Sequence, residues 1–389
     1  MRWSEIPSAA RRYILYHTII SPFLITWYML PLYLFMTGYS VLDVGLLFTA
    51  VNLAAVPAAY GVGKLFESVP IRHGLVLIDA LEGAAKVLYG LAKGVVAPAA
   101  LFAGMLIEKI AGVFYPLYQA TERILYPRER LKEVLAWHMR LPEASQLAGF
   151  LALGYVFGYV LTTPDGYRAG FIAIGLVSLG TIAYLLKAMP RLDRRERVEA
   201  GAPVFRVDKE FRLILLVEAL VTAAWFMAPE FVLLNYVVNT LGLTLFEAMV
   251  VEAAISLGAI AATYVTDAIS DEHMFRAMAV GYALITAWAA IMLASPPFPV
   301  VVAAYFISKF GDTLVFPFYG KWVFSKVPKE KATTVFGALS SYRRLIRLFT
   351  PALAGFLASM HPTLPYLASL ALFAATAALM EYLFRTYGS

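Results

Sequence analysis

Cysteine is absent from this chain of 389 residues, and asparagine and glutamine together occupy only five positions. Without cysteine, disulfide bonds and thiolate metal sites are excluded. A shortage of these thermolabile residues is typical of hyperthermophile proteins, so the composition indicates a thermophile. Charged residues are also scarce, at 15% against the roughly 25% of soluble domains. The chain is therefore not a soluble protein with one membrane anchor.

Long apolar segments take up most of the chain, and 61% of its residues are hydrophobic. Since a helix needs about 20 apolar residues to cross a bilayer, the sequence predicts an all-α integral membrane protein with twelve spans. Proline and glycine mark the joints between them. We number these predicted spans 1 to 12 in chain order: 13–36, 41–65, 72–93, 97–124, 131–162, 167–188, 210–238, 244–268, 274–294, 298–325, 332–359 and 362–385.

Lysine and arginine are concentrated on one side of this topology, and the opposite loops hold little beyond Lys93 and Arg168. The positive-inside rule then places both termini in the cytoplasm of a cell-membrane protein. The same asymmetry accounts for most of the net charge of +6, which argues against a nucleic-acid partner. The first twelve residues also lack the cleavage site of a signal peptide.

The second half of the chain repeats the first about 200 residues later. The segment WYMLP at 27–31 is echoed by WFMAP at 225–229, and YPLY at 115–118 is echoed by FPFY at 316–319. Repeated bundles around one pathway are common in transporters. We therefore predict two six-helix bundles, 1–190 and 210–389, joined by a cytoplasmic linker at 191–209.

One loop motif adds to this architecture. Between spans 2 and 3, Gly63, Glu67 and Arg72 fit the first, fifth and tenth places of G-x-x-x-[DE]-R-x-G-R-R, and Asp267 lies in the equivalent loop of the second half. With twelve spans, two related halves and a basic central loop, the chain resembles the major facilitator superfamily. The resemblance implies that Glu67, Arg72 and Asp267 latch helix ends and bias a conformational switch. It also implies that spans 1, 4, 7 and 10 line a central cavity.

Ionisable residues inside the spans are the candidates for the site, because each costs at least about 2.5–3.5 kcal/mol near the bilayer centre. Glu108 and Lys109 in span 4 lie at the depth of Lys309 and Asp312 in span 10. We predict a substrate site there, in which one carboxylate titrates for proton coupling. The alternative is two salt bridges that hold helices together. The polar faces of these spans also carry Tyr115 and Tyr319.

Span 11 contains three arginines within five residues, Arg343, Arg344 and Arg347. A guanidinium group binds a carboxylate or a phosphate through two parallel hydrogen bonds, so Arg344 and Arg347, which share a helix face, are predicted to bind an anion. Pairing with acids of neighbouring helices is the alternative. Glu218 in span 7 is a further candidate for the coupling acid. Two other sets, Arg140 with Glu143 and Asp79 with Glu82 and Lys86, are interpreted as structural.

These residues predict a secondary active transporter that moves a small anionic or zwitterionic organic solute by alternating access, with protons as the coupling ion. Sodium remains open as the ion, and an exporter of amphipathic compounds is the alternative substrate class. An integral membrane enzyme is the remote alternative, because the paired aspartates of lipid and prenyl transferases are missing. No cofactor is predicted, no histidine pair has metal-ligand spacing, and a monomer is expected.

Overall fold

The computed structural model describes residues 2–66, 69–190, 209–266, 268–326, 339 and 342–387. Within these residues the regular structure is entirely helical, as predicted. Apolar segments of this length fold as helices because the bilayer offers no water to hydrogen-bond an exposed backbone.

Eight of the described segments are long and apolar enough to cross a membrane, and each matches a predicted span. Predicted spans 3 and 5 are helical but less apolar, because ionisable residues such as Asp79 and Glu143 interrupt them. Predicted span 11 lies partly outside the described residues. The eight segments are Ser8–Met36, Gly94–Phe114, Pro164–Ala188, Arg212–Thr240, Leu245–Thr266, Met274–Leu293, Phe298–Val323 and Leu364–Thr386.

The chain forms two compact units, and the first comprises Met1–Thr37 and Ala50–Ala200. In it α1 packs against α7, and α4 packs against both α5 and α8. A 3-10 turn at Ser21–Ile25 separates α1 from α2, and Pro116 begins α6 after a second such turn. Its helices are α1 (Ser8–Ile20), α2 (Thr26–Met36), α3 (Val41–Phe66, which starts in the other unit), α4 (Ile71–Leu91), α5 (Ala97–Ala111), α6 (Pro116–Leu125), α7 (Leu131–Tyr155) and α8 (Pro164–Ala188).

The second unit comprises Gly38–Thr49 and Gly201–Ser389. Its helices are α9 (Lys209–Met227), α10 (Glu230–Leu234), α11 (Leu245–Thr266), α12 (Met274–Leu293), α13 (Phe298–Lys326), α14 (Thr350–Met360) and α15 (Leu364–Tyr387), and residues 342–347 are also helical. The central packing is that of α12 against α13 and α15, with α15 also against α9. The repeated proline differs between the units: Pro31 lies inside α2, whereas α9 ends before Pro229.

Each unit contains two glycines that bring a pair of helices into backbone contact. In the first, a Cβ on Gly175 of α8 would lie 2.9 Å from the carbonyl oxygen of Gly83 on α4. In the second, a Cβ on Gly281 of α12 would lie 2.7 Å from the carbonyl oxygen of Gly311 on α13. Small residues allow membrane helices to pack this closely, since the bilayer gives no hydrophobic drive between them.

The α12–α13 contact leads to a prediction with a matched control on the same helix. A Cβ at Gly311 would lie 2.5 Å from the Gly281 carbonyl oxygen, whereas a Cβ at Gly320 would meet nothing within 4 Å. Gly311→Ala should therefore lower the unfolding temperature of the detergent-purified protein. Gly320→Ala should leave it unchanged or raise it slightly, because alanine favours helix. Equal unfolding temperatures for the two variants would contradict this account.

Candidate functional site

Glu218 on α9 is the centre of the polar contacts in the second unit. Its side chain is only 5% exposed and accepts two hydrogen bonds from the guanidinium group of Arg343. The hydroxyl of Tyr319 on α13 donates a third, at 2.7 Å from Oε1. One buried carboxylate thus joins three helical segments through charge-assisted hydrogen bonds.

The other two arginines of the cluster are placed differently. Arg347 lies over the ring of Phe226, with its guanidinium carbon 4.1 Å from the ring centroid, and the negative charge of Glu230 also acts on it. Arg344 is exposed and has no hydrogen bond or ion pair within the described residues. Glu218 therefore neutralises Arg343, and the positive charge of the exposed Arg344 remains beside it.

Lys309 and Asp312 pair with each other on α13, with 2.8 Å between Nζ and Oδ2. Their side chains are 38% and 36% exposed, so the pair lies at the surface of this unit rather than in its core. A ligand group of like charge could therefore reach the pair and replace either partner. Tyr305, which the sequence places on the same polar face, instead lies in the core with its hydroxyl 3.0 Å from that of Tyr366.

In the first unit, tyrosine hydroxyls bind the carboxylates. Tyr89 donates to Glu108 on α5 at 2.6 Å, and Lys109 beside it is exposed. The ring of Tyr115 is partly exposed, and its hydroxyl donates to Glu82 at 2.8 Å rather than to Glu108. Glu82 also pairs with a lysine one turn further along α4. Glu82, interpreted as structural from the sequence, therefore contributes an acid to the predicted site region.

Two further polar contacts in the first unit were missed by the sequence reasoning. Asp79, interpreted as structural, is 4% exposed and accepts hydrogen bonds from the hydroxyls of Tyr16 and Thr181. His17 on α1 and His138 on α7 have ring centroids 4.8 Å apart. No sequence signal could pair these two histidines, because they are far apart in the chain and lie on different helices.

Of the three residues of the predicted latch, Arg72 lies among those that the structure describes. The Arg72 guanidinium group donates to the carbonyl oxygen of Leu186, near the end of α8. Carbonyl groups in the last turn of a helix lack intrahelical donors and carry partial negative charge, so an arginine stabilises them. Glu67 and Asp267 lie outside the described residues, and their latch role stays a prediction.

The described residues contain no group of three histidines or carboxylates arranged to hold a metal ion. What the two units offer instead is an acid and tyrosine cluster in the first and an arginine cluster with a surplus positive charge in the second.

Comparison with known proteins identifies the family that the chain matches. The family model for the Major Facilitator Superfamily matches residues 13–351. No curated protein matches the chain significantly.

Three solved structures show the same fold. A bacterial homologue of the iron transporter ferroportin, in an inward-facing state, is 14% identical over 96% of this chain and 98% of its own, with a TM-score of 0.78. A D-xylose–proton symporter is 13% identical over 98% and 99%, with a TM-score of 0.72. A bacterial homologue of the human lysosomal transporter Spinster is 14% identical over 97% and 96%, with a TM-score of 0.70.

The buried contact between Glu218 and Arg343 leads to a second prediction. Glu218→Gln leaves Arg343 without its counter-charge, and should destabilise the protein by on the order of 1–3 kcal/mol, since Arg343 is 42% exposed and partly screened. Arg343→Gln should also destabilise, because it strands a buried carboxylate. The double variant should lose less than the sum of the two single losses.

Thermal unfolding of the four proteins measures this coupling. Tyr319→Phe is a useful comparison, because it removes one neutral donor and should cost less than either charge change. Strict additivity of the two charge variants would show that the ion pair does not hold these helices together.

Proposed function

The chain belongs to the Major Facilitator Superfamily, and from this membership and its arginine cluster we propose a secondary active transporter for a small organic anion or zwitterion. Membership makes the chain a multi-pass membrane transporter rather than an enzyme. The names of structures with this fold include a homologue of an iron transporter and a D-xylose–proton symporter, and iron and D-xylose are very different solutes. The choice of solute must therefore come from the chain's own residues.

The observation that supports an anionic solute is the charge imbalance of the second unit. Of the three guanidinium groups within residues 343–347, that of Arg343 is held by Glu218 and that of Arg347 feels the negative charge of Glu230, which leaves the charge of Arg344. Arg344 is exposed and able to present the paired donors that a carboxylate or phosphate requires. Placing an anion there would offset the positive charge that the described residues leave over.

The exposed pair on α13 supports a zwitterion as the second form of the solute. Lys309 and Asp312 hold each other through a screened contact of 2.8 Å. A solute carboxylate can replace Asp312 at the lysine, and a solute amine can replace Lys309 at the aspartate. Such an exchange costs little free energy, because both side chains keep a partner of opposite charge.

Proton coupling and alternating access complete the proposal. The D-xylose–proton symporter shares this fold and by its name couples its solute to protons. Alternating access requires a solute or ion that binds two conformations with different affinity. The candidates for the single coupling acid, as predicted from sequence, are Glu108, Asp312 and Glu218.

The alternative is a proton-coupled exporter of amphipathic compounds. The acids and partly exposed tyrosine of the first unit favour it, because a carboxylate beside an aromatic ring suits a lipophilic cation. Under this alternative Glu108 and Asp312 would bind the solute, and the arginines would serve only to hold helices.

A ligand screen by thermal stabilisation tests the proposal. Purified protein is heated with carboxylates, phosphates, sugars, amino acids and lipophilic cations at about pH 5.5 and about pH 7.5. A solute at 100 times its dissociation constant stabilises the folded state by about 2.7 kcal/mol. We expect a carboxylate or amino acid to stabilise the protein, and Arg344→Ala and Lys309→Ala to abolish that stabilisation.

Arg385→Ala is the matched control, because Arg385 is 77% exposed and, among the residues that the structure describes, pairs only with Glu381 on its own helix. It should leave the ligand response intact. Stabilisation by lipophilic cations alone, lost in Glu108→Gln or Asp312→Asn, would contradict the anion proposal and favour the exporter. Uptake of the stabilising solute into proteoliposomes, driven by a proton gradient, then tests transport itself.

A further inference from the structure

His17 on α1 has a buried ring nitrogen with nothing to bind. Its Nε2 is buried and makes no hydrogen bond to any described residue. Aromatic rings surround the imidazole: those of Tyr13, Tyr16 and Tyr118 lie 4.7, 5.0 and 5.0 Å away between centroids and close to perpendicular. Buried polar atoms are nearly always hydrogen-bonded, so an orphan of this kind asks for an explanation.

A second imidazole completes the site. His138 on α7 lies 4.8 Å from His17 between ring centroids, with the planes inclined at 42°. Two positive charges at this distance in a buried setting repel each other strongly. The pair therefore binds one proton at a time and titrates as a unit rather than as two independent groups.

The pair connects outward to an acid near the end of α6. His138 Nδ1 lies 2.6 Å from the hydroxyl oxygen of Tyr126 and 3.4 Å from Oε1 of Glu122. Exposure falls along this line: the side chain of Glu122 is 25% exposed and that of His138 is 14%, while His17 Nε2 is buried. The line leads from a carboxylate in contact with solvent to a nitrogen without a partner.

A buried acid lies close to the pair, on the far side of Tyr16. Tyr16 packs beside His17 and donates its hydroxyl to Oδ1 of Asp79 at 2.5 Å. The second donor to Asp79 is the hydroxyl of Thr181. Both donors are neutral, and within the described residues no cation lies at salt-bridge distance from this carboxylate.

At the positions that match His17 and Tyr16, the second unit has apolar residues. The offset that aligns Trp27 with Trp225 places Leu215 opposite His17 and Ile214 opposite Tyr16. Leucine and isoleucine serve the packing of the helix equally well there. The histidine and its hydroxyl partner are therefore not required to build the bundle.

The candidate acids of the sequence analysis each already have a donor. Tyr89 binds Glu108, Lys309 binds Asp312, and Glu218 is held by an arginine and a tyrosine. Among the imidazole and carboxylate atoms of the described residues, the buried one that lacks a hydrogen-bond partner is His17 Nε2. Geometry alone therefore distinguishes the histidine pair from the carboxylates.

We propose that His17 and His138 form a proton-binding dyad in the first unit, with Glu122 as the proton donor at its exposed end. Glu122 gives its carboxyl proton to Nδ1 of His138, and His138 gives its Nε2 proton to Nε2 of His17 once the two rings have turned into hydrogen-bond distance, so each step moves one proton and breaks no other bond. A buried imidazolium without an acceptor costs free energy, so protonation disfavours the described packing of α1 on α7. As an account of the coupling ion, the dyad rests on the proposed function.

The environment of the dyad contains further titratable and charged groups. They are Tyr13 and Tyr16 on α1, Asp79 on α4, Tyr118 and Glu122 on α6, and Tyr126 just after α6. Arg11 and Arg12 lie nearer the start of α1.

Nitrogen NMR of the full-length protein in lipid nanodiscs, labelled with ¹⁵N-histidine, tests the dyad directly. Spectra are recorded from about pH 4 to about pH 8 in wild type, His17→Gln, His138→Gln and His73→Gln. We expect the His17 and His138 signals to change together, and loss of either histidine to alter the titration of the other. His73→Gln is the control, because His73 is exposed at the start of α4 and should leave both signals unchanged.

Hydrogen exchange provides the conformational readout. After correction for intrinsic rates, exchange of the α1 amides should rise on acidification in wild type and not in His17→Gln. If His17→Gln does not fold, Glu122→Gln replaces it, and should shift the titration of His138 while thermal unfolding stays cooperative.

Three outcomes would overturn the dyad. The His17 signal could stay constant over the whole range, or the two histidines could titrate independently of each other. Alternatively, one equivalent of Zn²⁺ could displace both signals at neutral pH, which would identify a metal site instead. None of these spectra depends on a transported solute, so a ligand screen that finds no anion contradicts the proposed function and leaves the dyad standing.

Discussion

Every polar group of this chain that enters the bilayer must find its partner inside the protein, and this constraint determines both the fold and the polar contacts. For the backbone, the requirement leaves helices as the solution for apolar segments of this length. For side chains, it requires an ion pair or hydrogen bonds at each buried acid. Glu218 meets the requirement with an arginine and a tyrosine, and Asp79 meets it with two hydroxyls. Nε2 of His17 is the atom in these networks that does not.

The close helix contacts that make these networks possible are common to both halves. Gly83 with Gly175 and Gly281 with Gly311 let neighbouring backbones touch, and the repeated tryptophan of α2 and α9 follows the same symmetry. The polar chemistry built on this shared scaffold is different in each unit. The first holds carboxylates mainly by tyrosine hydroxyls, whereas the second holds its buried carboxylate by an arginine.

The fold could be predicted from sequence because span length and apolarity are local properties that survive folding. Within the site, the sequence also revealed the contacts made along a single helix, such as Lys309 with Asp312. It could not reveal contacts between helices, because periodicity carries no information on which helices become neighbours. Glu218 and Arg343 are 125 positions apart, and Tyr16 and Asp79 are 63 apart. For the same reason the sequence could not place His17 beside Tyr118 of α6 and His138 of α7.

A repeated fold also offers an internal control for function. Apolar residues and glycines that both halves share at matching positions serve the packing, since the two halves build the same bundle. Residues that break the repeat need another explanation, and His17, which aligns with Leu215, is such a residue. The arginine cluster is another, because Arg140 and Glu143 in the corresponding part of the first half are both exposed, whereas Arg343 contacts a buried acid. A symmetric scaffold with protonatable groups in one half and surplus positive charge in the other suits a carrier that binds a proton and an anion at separate places.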